Sequence, residues 1–464
     1  MVSVGYQLTG QGFVLSAEQR VLLYPDGDYP RHIVRPLVSG RDITQSNRNL
    51  FAIDLFGLND RDVMAQHPAL FQWVLDRVKP ERDLNNRAAL RTRWWIFGEA
   101  RSTFRPALIG TAKALATSLT SKHRTFVSVT SDTICDSTTV MFALPDNAHA
   151  GVLSSVVHVS WATAAGGRLG VGNDPRYNKS RCFDTFPFPD LHADKLGGPL
   201  GISLDTPDGT PGPTRSDGES PADRIRALAE QLDAHRKRRQ AAHPGLTLTG
   251  MYNVLEKLRS GEVLTVKERA IHEHGLVSVL RQLHDELDAA VLAAYGWSDL
   301  LPRLRIAHGN DAPTDGQTRE DARRAFDDAI LERLVALNAE RAAEEARGHI
   351  RWLRPDFQNP AARAAQPEQG RILAAANEQD AGDDATSVAV ALAAPAKPQQ
   401  WPKDAVEQVR AVADLLAASP VPLSLDDIGQ RFTARGPWKK RLPKLLEMLV
   451  ALGRAQEQDG GFSA

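Results

Sequence analysis

Cysteine is scarce in this chain: Cys135 and Cys182 are the two in 464 residues. Two thiols exclude a disulfide framework and a four-cysteine zinc site, and they fit reduced thiols in a cytosolic protein. Long apolar runs are missing as well. Nowhere do about 18 uninterrupted apolar residues occur, and MVSVGYQLTGQGFVL at the N-terminus has no basic segment ahead of an apolar one, so the expectation is a cytoplasmic chain with no membrane partner. Nor is one sign of charge in excess, with 56 Lys plus Arg against 57 Asp plus Glu. An anionic partner must therefore be met by a local patch rather than by a global field.

Catalytic signatures are absent too. GGRLGVG at 166–172 has the glycines of a phosphate or cofactor loop but no helix pattern after it. There is no Asn-Pro-Pro-aromatic or Asp-Pro-Pro-aromatic tetrapeptide; Asn173-Asp174-Pro175-Arg176 is not one. An Asp…Glu-x-Lys nuclease set, a His-x-x-x-His pair and a Gly-x-Ser-x-Gly elbow are likewise missing, and His272 and His274 read as surface histidines of a helix. No catalytic, cofactor-binding or metal-ligating residue is therefore assigned.

The pattern that is present predicts an α+β protein in several parts. Residues 1–195 mix short β-rich runs (VLLY, HIVRPLV, TFVSVT, TTVMFAL) with amphipathic stretches such as ALFQWVLDRV. Residues 196–220, rich in Gly, Pro, Asp, Thr and Ser, read as a flexible linker. Leucines at three and four spacing, with Pro221 in a first turn, make 221–355 a helical domain whose stripes read as core. Residues 356–400, rich in Ala, Pro and Gln, read as a second, disordered linker. At 401–464 helix, short helix, turn, third helix and a terminal hairpin give the order of a winged helix-turn-helix, with Lys439, Lys440 and Arg441 opening its third helix. That order has low specificity, and the acids Asp426 and Asp427 dilute its positive field.

Two basic stretches are candidates for contacts to nucleic acid. Between Lys79 and Arg124 stand ten Lys or Arg against three acids, with Trp94 and Trp95 in the middle. Arg82, Arg91, Arg93, Arg101, Arg105, Lys122 and Arg124 are the candidate phosphate contacts, against the plainer reading of a solvated helix face. The second stretch leads into RYNKSRCFDTFPFPD at 176–190. Arg168, Arg176, Lys179 and Arg181 carry its charge, Asn173 and Asn178 offer amide forks that suit adenine, and Phe183, Phe186 and Phe188 with Pro187 and Pro189 form an aromatic-proline clasp.

In order along the chain, GQGFVLSAEQ, HIVRPLVSGRDI (32–43), LFQWVLDRVKPERD (70–83), RTRWWIFGEAR (91–101) and RYNKSRCFDTFPFPD resemble the target-recognition region of MmeI-like DNA methyltransferases. AAYGW (293–297) and LVALNAERAAEEARGHIRWLRPDFQ (334–358) resemble that family's C-terminal region, so the resemblance covers roughly 5–195 and 221–358. These are adenine-N6 methyltransferases, dependent on S-adenosylmethionine and fused into restriction-modification or phage-defence systems. The resemblance implies a DNA target-recognition domain over 1–195, with base contacts just before the FPFP clasp and double-stranded DNA as partner. In the family a methyltransferase domain precedes this region, and it would bring the methionine-derived cofactor and the catalytic motif. Here it is expected on another polypeptide encoded upstream, through a split gene or a truncation, with 221–355 as the scaffold that docks to it. Two rival readings remain: a noncatalytic winged-helix DNA-binding regulator, and a methyltransferase remnant.

Overall fold

The computed structural model describes residues 1–169, 174–191, 220–313 and 316–359, and short pieces beyond 398. The chain divides into two compact units, Met1–Ala375 and Ala376–Ala464. The mixed α and β character expected from the sequence is present in the first.

Two four-stranded sheets share the N-terminal part. The strands are β1 (Val2–Val4), β2 (Val14–Leu15), β3 (Val34–Val38), β4 (Leu50–Ile53), β5 (Lys113–Ser118), β6 (Phe126–Thr130), β7 (Ile134–Cys135) and β8 (Thr139–Phe142). One sheet runs β1-β8-β5-β6 and is antiparallel throughout; the other runs β2-β4-β3-β7, with β3 and β7 parallel. In β5 all residues after Lys113 are buried, and all of β8 is buried, which is why these strands read as continuous runs of small and apolar residues rather than alternating ones. The chain passes from one sheet to the other between β7 and β8. There the backbone of Gly5 and Tyr6 bonds to Thr139 and Cys135. A Cβ on Gly5 would lie 1.9 Å from the Asp136 carbonyl, so only glycine permits that crossing.

Six short helices cover the second sheet: α1 (Ala17–Leu23), α2 (Gly40–Thr44), α3 (Asp60–Gln66), α4 (Pro68–Arg77), α5 (Lys79–Asp83) and α6 (Ala88–Thr92). Their core gathers Phe13, Leu70, Trp73, Val74, Val78, Trp94 and Phe97. The indole N–H groups of Trp73 and Trp95 are satisfied by the carbonyls of Gly12 and Leu58. The tryptophan pair read from the sequence is thus a packing device.

Two further helices, α7 (Asn147–Ser154) and α8 (Val156–Ala165), lie behind the first sheet. Every residue of α7 is buried, as expected for a helix covered on all sides. Ala150, Leu153 and Ala162 pack with Leu115, Val140 and Phe142 of the sheet, while Val152, Val156, Val157 and Trp161 join a core with the helices that follow. Those helices are α9 (Pro221–Ala242), α10 (Leu248–Ser260), α11 (Val266–Gly275), α12 (Val277–Ala294), α13 (Leu301–Ala307) and α14 (Arg319–Ala346). Ser220, Thr265 and Thr318 cap α9, α11 and α14, and Pro221 stands in the first turn of α9 as its fixed φ favours. Gly151 lets α9 approach α7 closely: a Cβ there would be 2.4 Å from Ile225 Cγ2. After α14 the chain returns to the N-terminal part, where Arg354 donates to the carbonyls of Ala107 (2.6 Å) and Ala143 (3.1 Å).

In the second unit, Leu425–Gln430 is helical and capped by Ser424, and Gln456–Gln458 pairs antiparallel with Gly461–Ser463, the terminal hairpin expected from the sequence. Leu423 pairs with Phe462, and Val412, Leu416, Ile428, Phe432, Leu442 and Leu446 form its core. Lys439, Lys440 and Arg441 lie outside the described residues. Among the described residues no helix is long and apolar enough to cross a membrane.

Candidate nucleic-acid interface

Four of the arginines expected to contact phosphate point inward. Arg82 is 1% exposed, and its guanidinium donates to the carbonyls of Thr9 (2.7 Å), Leu8 (2.9 Å) and Ile96 (3.0 Å). Arg105 forks onto buried Asp54 at 2.7 and 2.9 Å and lies over the rings of Phe56 and Tyr6. Arg35 reaches the same carboxylate at 2.6 Å. Burial works against the charge of Asp54, yet the two guanidinium groups prevail and hold its carboxyl below the usual range. Arg101 pairs with Glu99 at 2.6 Å and donates to the Gly5 carbonyl. Arg124 is spent on Ser118, Thr117 and Pro175. A buried guanidinium keeps its charge only where acceptors replace water, and these inward acceptors hold the four side chains away from a phosphate. The phosphate role expected of Arg82, Arg101, Arg105 and Arg124 is therefore corrected to a structural one.

A signal for Arg82 exists in the sequence. Leu70, Val74, Val78 and Arg82 follow at intervals of four across α4 and α5, so Arg82 continues an apolar face.

The outward cations of this stretch are Arg87, Arg91, Arg93, Lys113 and Lys122. Arg87, Arg91 and Arg93 stand on and beside α6, whose Leu90 is buried; Arg91 is steadied by the Asn85 carbonyl at 2.5 Å. Lys122 lies in the β5–β6 turn and is paired with Glu256 (3.0 Å) and Asn253 (2.8 Å) of α10, so part of its charge serves the joint with the helices.

The second basic stretch is a hairpin followed by a tight turn. β9 (Gly167–Leu169) pairs antiparallel with β10 (Asp174–Arg176), Arg168 opposite Pro175 and Gly167 opposite Arg176. Residues directly opposite share a face and neighbours alternate, so Arg168 and Arg176 stand on opposite faces of this hairpin. Asn173, in its loop, lies outside the described residues. Gly166 and Gly167 run into this hairpin; Gly170 and Gly172 lie outside the described residues.

Beyond β10, Asn178 is half-buried, and its carbonyl accepts from Arg181 and Cys182 to open a π-helical turn over Lys179–Phe183. Arg176, Lys179 and Arg181 are exposed, whereas Tyr177, Cys182 and Phe186 between them are buried. Phe126, Phe142, Tyr177, Phe183, Phe186 and Phe188 meet edge to face at 5.1–5.8 Å, and Tyr295 of the helical part donates to the Pro187 carbonyl. The aromatic-proline clasp thus fixes a segment that faces three cations outward. The two outward groups adjoin different cores: α6 leads into Trp94 and Trp95 of the second sheet's core, and the hairpin into Tyr177 and Cys182 of the first's.

Both cysteines are free and buried, and burial pushes the Cys135 thiol up to about 12. Among the described residues, one grouping has metal-like spacing: Asp285, Asp288 and His308. Asp285 is already held by Arg259 and by His308 Nδ1, each at 2.9 Å, and Arg281 stands 3.8 Å away. Two guanidinium groups beside the best ligand oppose a cation, so this cluster reads as a structural network. It borders a cleft of about 400 Å³ that Arg281, Leu304 and Arg305 also line.

Residues 2–190 match the family described as MmeI, target recognition domain. No curated protein matches the chain. Among solved structures, the Type IIL restriction-modification enzyme MmeI in complex with DNA is similar at 16% identity and a TM-score of 0.47, over 73% of this chain and 35% of that one. The chain thus spans about a third of the length of that enzyme. The family match begins in β1 and ends at Asp190, just past the clasp, and it takes in both basic groups: over residues 2–190 the chain is similar to the target recognition domain of MmeI.

Proposed function

We propose that this chain supplies sequence recognition to an S-adenosylmethionine-dependent adenine-N6 DNA methyltransferase whose catalytic domain is on another polypeptide. The family match over residues 2–190 carries this reading. Exposed Arg87, Arg91 and Arg93 would track phosphates, and the segment 168–181 would reach base edges with Arg176 foremost. Residues 221–355 would present the recognition domain to the methyltransferase. The second unit, winged-helix-like in its order of elements, would add nonspecific DNA contact or protein docking. The target adenine would be turned out of the duplex into the partner's pocket, and the cofactor would be held there.

The test is a genome-wide map of N6-methyladenine in cells that carry the upstream reading frame with and without this chain. A motif methylated only when both are present is the expected result. No methylation, with the upstream frame verified as expressed, overturns the reading.

A further inference from the structure

Behind outward Arg176 of β10 lies a half-buried guanidinium, that of Arg124, with no carboxylate in contact among the described residues. Arg124 Nη2 donates to the Pro175 carbonyl at 3.0 Å, and Nη1 donates to the Ser118 carbonyl and to Thr117 Oγ1. Its guanidinium carbon sits 5.2 Å from the centre of the Tyr177 ring, and Tyr177 is held in turn by His158 of α8, with Oη and Nε2 2.9 Å apart. Burial lowers the pKa of Arg124 to about 10, with Tyr177 and Cys182 opposing, and the side chain stays cationic at neutral pH.

The hairpin above it has few other supports. Two strands of three residues are marginal by themselves. Backbone bonds from Ser121 to Pro175 (3.3 Å) and from Tyr177 to Leu119 (2.8 Å) tie its second strand to the β5–β6 turn. At its root Gly166 admits close approach: a Cβ there would lie 2.6 Å from the Ala162 carbonyl and 2.7 Å from that of Arg176. Pro175 donates no N–H, yet its carbonyl accepts twice, from Ser121 and from Arg124. Arg124 is thus the one side chain among the described residues that joins the end of β5 to the strand bearing Arg176.

We propose that Arg124 is a positioning residue for base readout. It holds the Pro175 carbonyl against the end of β5 and so sets the angle at which the hairpin presents Arg176, while touching no DNA itself. The inference rests on the recognition reading above and adds to it a side chain that acts on specificity from within the fold.

The full chain and its R124A, R124K, R176A and R124A/R176A variants are each put through selection from a random duplex pool, salt titration of nonspecific binding, and hydrogen exchange without DNA. R124A is expected to fold, to keep its nonspecific affinity and salt slope, and to lose base preference at least tenfold at the positions that R176A also relaxes. The double variant is expected to be no worse than R176A alone, and R124K to recover part of the preference. Ser121 and Tyr177 amides are expected to exchange faster in R124A. A folded R124A with wild-type preference overturns the proposal, as does loss of one phosphate's worth of salt slope, about 0.9, or an additive double variant. Unchanged exchange at Ser121 and Tyr177 overturns the positioning role alone. A wild-type chain with no base preference overturns the recognition reading, and the readout role with it. If R124A does not fold, R124K decides by the same measurements.

Discussion

Buried arginine is the recurrent device at the level of single residues. Arg82, Arg236 and Arg354, and the half-buried Arg124, each give at least one hydrogen bond to a main-chain carbonyl of a segment remote in sequence: Thr9, Phe126, Ala107 and Pro175. A long side chain with five donors can pin two or three strands at once, at the cost of desolvating a charge. Composition cannot reveal this, because Arg82 and Arg87 look alike until the fold turns one inward. Replacing Arg82 by leucine removes its hydrogen bonds to three main-chain carbonyls and is expected to cost on the order of 3 kcal/mol, while Arg87→Leu stays within about 0.5 kcal/mol; urea unfolding of both variants checks this. Asp288 gives a second expectation. It is 1% exposed, accepts from the Val156 amide at 2.7 Å, and burial raises its pKa from 3.8 to about 7. The folded chain therefore binds this proton more tightly than the unfolded one. The stability so gained is present below pH 3.8 and lost as pH rises through 7. Asp288→Asn, which keeps the acceptor, is expected to raise stability at pH 8 by about 1–3 kcal/mol and to do little at pH 4, read as melting temperature against pH.

Among the elements, RYNKSRCFDTFPFPD shows what sequence can and cannot tell. Its clasp follows from aromatics and prolines that suit neither helix interior nor central strand, and the rings do pack together. Its alternation of outward Arg176 with inward Tyr177 is that of an extended strand, whereas that of outward Arg181 with inward Cys182 depends on a π-helical turn that no periodicity signals. The basic patch of 79–124 was visible as composition, but its division into inward pins and an outward α6 was not. If the two outward groups play the parts proposed, their variants differ in kind. Arg91→Ala is expected to weaken binding on every duplex and to lower the salt slope by about 0.9. Arg176→Ala is expected to cost about 1–3 kcal/mol at one base position. Titrating each variant on selected and scrambled duplexes at several salt concentrations separates the two, and equal loss on all sequences would make Arg176 a backbone contact. Arg168, on the other face of the hairpin, is expected to relax a different position or none.

For the whole chain, helices over 221–355 could be read from leucine spacing and capping residues, but where their apolar stripes would be buried could not. Spacing shows that a face needs cover, not what covers it. Part of the cover is α7, α8 and the clasp: Val152, Val156, Val157, Trp161 and Phe186 share one core with Ile225, Leu287 and Phe326. Arg351 adds an ion pair to Asp190 at 2.9 Å, and Arg354 closes on Ala107 and Ala143. The family match ends at Asp190, whereas the compact unit runs to Ala375, so the segment that matches is shorter than the segment that packs. A chain cut after Leu191 would bare five large apolar side chains. At roughly 1.5–3 kcal/mol each, the loss is about 8–15 kcal/mol, comparable with the whole stability of a typical domain. That fragment is expected to show no cooperative melting and to aggregate, while one ending at Ala375 melts in a single transition by calorimetry. A cleanly folding 1–191 fragment would mean that the helices merely lean on the recognition domain. A specificity change made by exchanging residues 2–190 alone would then be expected to succeed, whereas a shared core requires α7 and α8 to be matched to the helices that receive them.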